Sequence, residues 1–257
     1  MKTRKNTRHG TFAFYRNDSI IGRSLDLYGE YSQRELDLLM RFAPTGATIV
    51  EVGANIGAFS VPLSKALGPS GHLYCYEAHP LIADLLDENL DANACTNATV
   101  VRAAAGADHG VASFTDFAPD SAVNMGAAHI DRSGHGTLEV TVAPIDALNL
   151  GACSLIKVDA EGGEADVIIG AQQTLFNHTP VLYVEHDRDD PRLVQCLLTV
   201  AEMGYRLFWH KPPLFAADNV FANPTNVFGD VISRNVLCLP PERTLPDGLA
   251  HLEPIDP

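Results

Sequence analysis

The sequence predicts an α/β fold, a mostly parallel sheet with helices on both faces. Three observations predict it. From residue 47 onward, short β-branched and aliphatic runs alternate with longer stretches whose apolar residues recur at helical spacing. Repeated β-α units of that kind build a parallel sheet covered on both sides. A turn bearing Gly53 and Gly57 joins the first run to its helix, where α/β proteins bring backbone close to a ligand. The length of 257 residues suits one α/β domain with trimmings, and such a chain buries a sizeable core without disulfides or metal staples.

Residues 1–46 form a lead-in. Within it Ser32-Gln33-Arg34-Glu35 has capping-box spacing. Leu36, Leu38, Leu39, Met40 and Phe42 then give a short amphipathic helix that stops before Pro44 and Gly46. The main domain is expected over 47–240. Its first strand covers 47–52, a helix follows over 58–67, and Gly68-Pro69 closes that helix. A second strand over 72–77 leads to Pro80, a residue tolerated at a first helical position. Leu81, Ile82, Leu85, Leu86 and Leu90 carry the helical stripe, and 98–103 is a third strand.

The stretch 110–144 breaks the rhythm. Residues 111–117 and 138–142 alternate with period two, which predicts an inserted β-hairpin with a long loop, a common home for substrate contacts. Alternation then resumes with a strand over 154–159, a helix over 164–176 and a strand over 180–186. Asp190-Pro191 opens a helix that Gly204 ends. Residues 205–209 and 236–239 are the last strands, and the proline-rich 241–257 is expected to be a loosely ordered tail.

Charge and cysteine usage narrow the partners. Eighteen Lys and Arg against 32 Asp and Glu give a net charge of −14. Such a chain gains no counterion-release attraction to nucleic acid, and an anionic membrane surface disfavours it equally. The five cysteines form no Cys-x-x-Cys pair and read as reduced, buried thiols of a cytoplasmic protein. No run approaches the roughly 20 apolar residues of a membrane span.

Ligands of such sheets bind at the carboxyl ends of the strands. There the first strand presents Glu51-Val52-Gly53-Ala54-Asn55-Ile56-Gly57, and Glu77 closes the second strand, 24 residues after Gly53. A carboxylate so placed can accept both hydroxyls of a ribose, which implies a nucleoside-containing cofactor. A dinucleotide site would want Gly-x-Gly-x-x-Gly. Here Asn55 and Ala58 stand at the second and third glycine positions, and Glu51 is better placed for an ammonium group than for a pyrophosphate. S-adenosylmethionine fits these residues better than NAD, which leaves a dehydrogenase as the outside reading.

Three blocks carry a family resemblance. The segment from Glu51 to Ser60, the block Tyr76-Glu77-Ala78-His79-Pro80, and the block from Ile156 to Glu164 (Ile-Lys-Val-Asp-Ala-Glu-Gly-Gly-Glu) resemble the FkbM family of methyltransferases. The upstream Tyr28-Gly29-Glu30-Tyr31-Ser32 is similar to the segment that leads into those domains. The likeness runs over roughly residues 15–240. It implies a class I methyltransferase Rossmann-like fold with a seven-stranded sheet, and methyl transfer from S-adenosylmethionine to oxygen, often on a sugar or a polyketide-type natural product. Glu51, Gly53, Ala54, Asn55, Gly57, Phe59 and Ser60 would then surround the methionine end of the cofactor. Glu77 would take the ribose, with Ala78 and Ala104 beside the adenine. Ala160, where the family commonly has Val, and the extra glycine at Gly163 are departures.

Oxygen methylation needs alignment of the reacting atoms and removal of a hydroxyl proton. His186, mostly neutral at pH 7, is the expected base, although an ordinary strand-end histidine would look the same. Asp159 and Glu161 would orient it or bind the acceptor. Glu185 and the loop residues His210, Lys211 and Asn219 are the substrate candidates, the loop offering an aromatic and amide surface for a sugar or simply a turn-rich connection. Asp159, Glu161 and Glu185 are also hard oxygen ligands suited to Mg²⁺, but their spacing demands no metal. The expected acceptor is a small hydroxylated molecule. An N- or carboxyl acceptor, a non-catalytic Rossmann-like binding protein and a homodimeric assembly are compatible with the same residues.

Overall fold

The computed structural model describes residues 1–114, 116–117, 124–127, 130, 136–186 and 190–255. It opens with a hairpin of β1 (Lys2–Asn6) and β2 (Thr11–Tyr15), followed by α1 (Ile21–Tyr28) and α2 (Gln33–Leu39). The alternation then runs β3 (Thr48–Val52), α3 (Ser60–Leu67), β4 (His72–Tyr76), α4 (Pro80–Ala92) and β5 (Ala98–Val101). Three strands, β6 (Ala104–Ala105), β7 (Gly110–Phe114) and β8 (Leu138–Ala143), make a small separate sheet. The chain continues with β9 (Leu155–Val158), α5 (Glu164–Ile169), α6 (Gln172–His178), β10 (Val181–Glu185) and α7 (Pro191–Glu202). It ends with β11 (Arg206–His210), β12 (Asn235–Leu239) and β13 (Glu253–Ile255).

The main sheet has the order β13-β11-β12-β10-β9-β3-β4-β5. The five strands from β10 to β5 are parallel, and β12, β11 and β13 add antiparallel pairs at one side. The chain builds outward from β3 through β4 to β5 and then returns to place β9 against the other side of β3. That reversal leaves a crevice at the carboxyl ends of β3 and β9, where doubly wound sheets bind ligands.

Both faces of the sheet are buried, which is why its strands read as continuous apolar runs rather than alternating ones. Ile49, Leu73, Leu155, Tyr183 and Leu237 pack on one face with α3, α4 and the N-terminal elements. Val50, Ile156, Leu182 and Val236 pack on the other with α5, α6 and α7. Period-two alternation sends Glu51 and Lys157 to the first of these faces, and the register makes Glu51, Lys157 and Tyr183 neighbours across three strands.

The hairpin β1–β2 is an element the sequence pattern did not announce. Phe12, Ala13 and Phe14 of β2 enter the core beside α4. The amide of Asn89, on α4 and fully buried, clamps the strand there. Its Oδ1 accepts from the Ala13 amide at 2.7 Å, and its Nδ2 donates to the carbonyls of Ala13 and Ile56 at 2.9 and 2.8 Å.

Other expectations are corrected. The sheet has eight strands rather than seven, because Glu253–Ile255, in the segment expected to be loose, pairs with β11. The helix after β9 is broken into α5 and α6 at Gly170, where a Cβ would lie 2.0 Å from the Gly106 carbonyl oxygen, so that only glycine lets the two backbones meet. The inserted strands β7 and β8 are antiparallel as expected, and β6 adds a parallel neighbour to β8. Ser32 makes no capping bond to an amide. It adopts a left-handed φ of 40°, and its hydroxyl donates to Glu35 Oε2 at 3.0 Å. Among the described residues no helix is long and apolar enough to cross a membrane.

Asn89→Ala should lower the unfolding free energy by about 2–4 kcal/mol, because three buried hydrogen bonds disappear and the Ala13 and Ile56 groups lose their partner. Urea titration followed by circular dichroism measures it.

Candidate active site

A cavity of about 280 Å³ opens at the carboxyl ends of β3, β4, β9 and β10. It divides into two chemically distinct halves.

The first half is built on β3 and β4. Glu51 is buried and accepts from the Ser60 hydroxyl at 2.6 Å. Burial raises its pKa to about 7, against the opposing pull of Lys157 and Ser60. Gly53 follows with φ 73°, and a Cβ there would lie 1.9 Å from the Asp159 carbonyl oxygen, so only glycine lets β3 turn beside β9. The amides of Gly53 and Ala54 both donate to the Tyr76 carbonyl, at 3.1 and 3.0 Å. Glu77 accepts from the Asn55 amide at 2.9 Å with one oxygen and from the His79 amide at 2.9 Å with the other. Burial raises its pKa to about 7 despite these donors. Asn55 itself holds a left-handed φ of 50° and accepts from the Ile56 amide through its side chain. Ala78, Ala103, Ala104 and Ala105 supply a flat wall, faced by Phe114 and Ile130 of the insertion.

The second half centres on Lys157, 2% exposed in β9. Its Nζ donates to Asp159 Oδ2 at 3.0 Å and lies 5.3 Å from the centre of the Phe59 ring. Burial disfavours the ammonium charge, but Asp159, Glu35 and Glu51 together outweigh that cost and hold its pKa above the usual lysine value. Glu35 comes from α2. Burial raises its pKa against the pull of Lys157 and of hydrogen bonds from Ser32 and Ser233. Tyr31 lines the same wall, its ring 5.7 Å from that of Phe59. Burial, then the carboxylates of Glu35 and Asp159, push its phenol well above the usual range. The turn after β9 is held by Glu164, which accepts from the amides of Ala160 and Gly162 at 3.0 Å. Buried Asp18 ties the insertion to the start of α1, accepting from the amides of Met125 and Gly22 at 3.3 and 2.6 Å. Ile20, Ile21, Met125, Leu214, Val231 and Ile232 give this half an apolar rim.

The structure brings together most of the sequence-predicted residues. Glu51, Gly53, Ala54, Asn55 and Phe59 line the cavity, as do Glu77, Ala78 and Ala104. Asp159, Glu161 and Glu185 line it as well. Gly57 and Ser60 lie behind the wall, and Ser60 acts through its bond to Glu51.

His186 is not brought in. Strand alternation aims Glu185 at the cavity and its neighbour His186 away from it, and the His186 ring meets Trp209 edge-on at 5.4 Å. Asp187 lies outside the described residues. The loop candidates are absent from the cavity too. His210, whose pKa burial lowers to about 4, has its Nδ1 2.8 Å from the Tyr183 hydroxyl. Lys211 lies over Trp209 at 4.8 Å and pairs with Glu253. Asn219 pins its own loop by donating to the carbonyls of Ala216 and Asn223. That loop reaches the cavity through Leu214, Val231, Ile232 and Ser233 instead.

Sequence reading gave no place in the site to Lys157, Tyr31 or Ser233, and read Glu35 only as part of a helix cap. Lys157 did leave a signal, a lone charge inside an otherwise apolar strand and two residues from Asp159 on the same face. Among the described residues no group of three His, Cys, Asp or Glu side chains is arranged to hold a metal ion.

Comparison with known proteins adds to this geometry. Residues 51–207 match the family model described as the methyltransferase FkbM domain. The hexuronic acid methyltransferase AglP of Haloferax volcanii is 27% identical over 187 residues, covering 72% of this chain and 74% of that protein. Precorrin-6y C5,15-methyltransferase from Geobacter metallireducens GS-15 superposes with a TM-score of 0.50 at 12% identity, over 81% of this chain and 88% of that one. At that identity the likeness is one of fold, the class I methyltransferase arrangement. Methyltransferase FkbM from Methylobacillus flagellatus KT gives a TM-score of 0.49 at 18% identity over 75% of this chain, and the match spans 44% of that protein.

Two outcomes follow from the first half of the cavity. Gly53→Ala should cost more than about 3 kcal/mol or prevent folding, since the added carbon collides with fixed backbone; thermal melts of the purified variant decide it. Burial raises the Glu77 pKa from 4.5 to about 7 in the folded chain. Its contribution to stability is therefore complete below about pH 4.5 and is lost as the pH rises through about 7. Glu77→Gln should flatten that loss, so that its melting temperature falls less than the wild type's between pH 5 and pH 8.

Proposed function

The chain belongs to the FkbM methyltransferase family, and from that membership we propose that it transfers a methyl group from S-adenosylmethionine to a hydroxyl of a small molecule, a sugar, glycan or natural product. One observation carries the reading. Two buried carboxylates, Glu51 and Glu77, flank Gly53 at the ends of adjacent strands in a single cavity. Carboxylates whose protonation burial favours gain most from a ligand that brings its own positive charge and hydroxyl donors. S-adenosylmethionine has both, an ammonium group for Glu51 and ribose hydroxyls for Glu77, and the alanine wall at Ala78 and Ala104 suits a flat base. When bound, it supplies a methyl group on a sulfonium centre that needs no further activation.

The protein's own work is then to orient the acceptor and take its proton. Asp159 is the group we assign to the proton, because it lines the cavity between the two halves while His186 faces Trp209. Glu161 and Glu185 are the acceptor-side candidates for hydrogen bonds to further hydroxyls. The likeness to a hexuronic acid methyltransferase supports a sugar acceptor. On this reading the lead-in 1–46 caps the acceptor half of a catalytic domain spanning 47–240.

Calorimetric titration with S-adenosylhomocysteine, with NADH as control, tests the donor. Binding of NADH in place of S-adenosylhomocysteine would sink the reading. Labelled S-adenosylmethionine offered to neutral sugars, uronic acids and aliphatic alcohols tests the acceptor. With an acceptor in hand, Asp159→Asn should lower kcat by about 10²–10⁴, whereas His186→Ala should stay within a few-fold of wild type.

A further inference from the structure

Lys157 is the one buried cation of the site to which neither the family blocks nor the proposed chemistry gives a task. Among the described residues it supplies the only ammonium or guanidinium group lining the cavity. It sits where the two halves meet. In the sheet it is flanked by Glu51 on β3 and Tyr183 on β10, and its Nζ is 3.0 Å from Asp159 Oδ2.

The groups that face Asp159 come from every packed element. They are Glu51 on β3, Glu77 after β4, Tyr31 and Glu35 from upstream, Glu164 on α5, and Tyr183 and Glu185 on β10. Glu161, in the turn after β9, lines the same cavity. All are acids or phenols. Lys157 opposes them at contact distance. The Phe59 ring packs against the same ammonium, its centre 5.3 Å from Nζ.

We propose that Lys157 is a positioning residue for methyl transfer, fixing the Asp159 carboxylate at the junction of the two halves. This rests on the methyltransferase reading above. In the step it serves, the acceptor O–H bond breaks and its proton passes to an Asp159 oxygen. The freed oxygen pair forms the new bond to the methyl carbon, and the bond from that carbon to sulfur breaks with its pair left on sulfur. Lys157 itself cannot be the base, since its ammonium is held charged by the surrounding carboxylates.

The test is carboxyl ¹³C NMR of protein labelled at its aspartates, the Asp159 signal being identified by its loss in Asp159→Asn. With or without S-adenosylhomocysteine, Lys157→Met should shift that carboxyl resonance at a fixed pH, and Lys157→Arg should restore most of its position. A folded Lys157→Met protein whose Asp159 resonance is unmoved would overturn the proposal. So would Asp159→Asn leaving the ¹⁵Nζ resonance of Lys157 unmoved, a measurement that needs no change at Lys157. Wild type that fails to bind S-adenosylhomocysteine would count against the methyltransferase reading alone, because the carboxyl resonance is read with or without the ligand.

Discussion

The contact between β3 and β9 is the constraint on which the rest of the site depends. Gly53 and the Asp159 carbonyl approach so closely that no side chain fits between them. That proximity makes Glu51 and Lys157 direct neighbours in the sheet and opens the crevice above them. A buried ammonium and the buried carboxylate of Glu51 would each be costly alone, and they are tolerable because the two strands hold them side by side. The two halves of the cavity are thus not separate pockets. They share a charged floor made by Glu51 and Lys157.

The two halves differ in where their residues originate. The first is made by β3, β4 and their turns, inside the family match at 51–207. The rim of the second is largely made outside it, by Ile20, Ile21 and Tyr31 on one side and by Leu214, Val231, Ile232 and Ser233 on the other. Glu35 joins these sides through its hydrogen bond with Ser233. Such a division lets the rim change without disturbing the strands that hold the charges.

Much of this was legible before the structure, for a physical reason. Strands buried on both faces leave apolar runs that local reading detects, so β3, β4, β9 and β10 fell within a residue or two of expectation, and with them Glu51, Gly53, Glu77 and Asp159. What local reading missed was decided at a distance. The hairpin strand Lys2–Asn6 is polar and exposed along its length, and β2 is held by Asn89, more than seventy residues away. The break at Gly170 falls where the chain meets the Gly106 backbone. The capping pattern at Ser32 was real as chemistry, but its hydroxyl meets the Glu35 carboxylate rather than a helix amide. His186 was displaced by one position in a period of two, enough to exchange it for Glu185.

The strand order also has a consequence for how the chain is made. β12 is inserted between β10 and β11, and β11 pairs only with β12 and β13. During synthesis β11 emerges before either neighbour exists, and the edge of β10 stays open until residue 239 has left the ribosome. An uncovered apolar edge is a template for pairing with other chains. The family-matched region is therefore made while the protein is still vulnerable, and it is the last strands that cover the edge of β10.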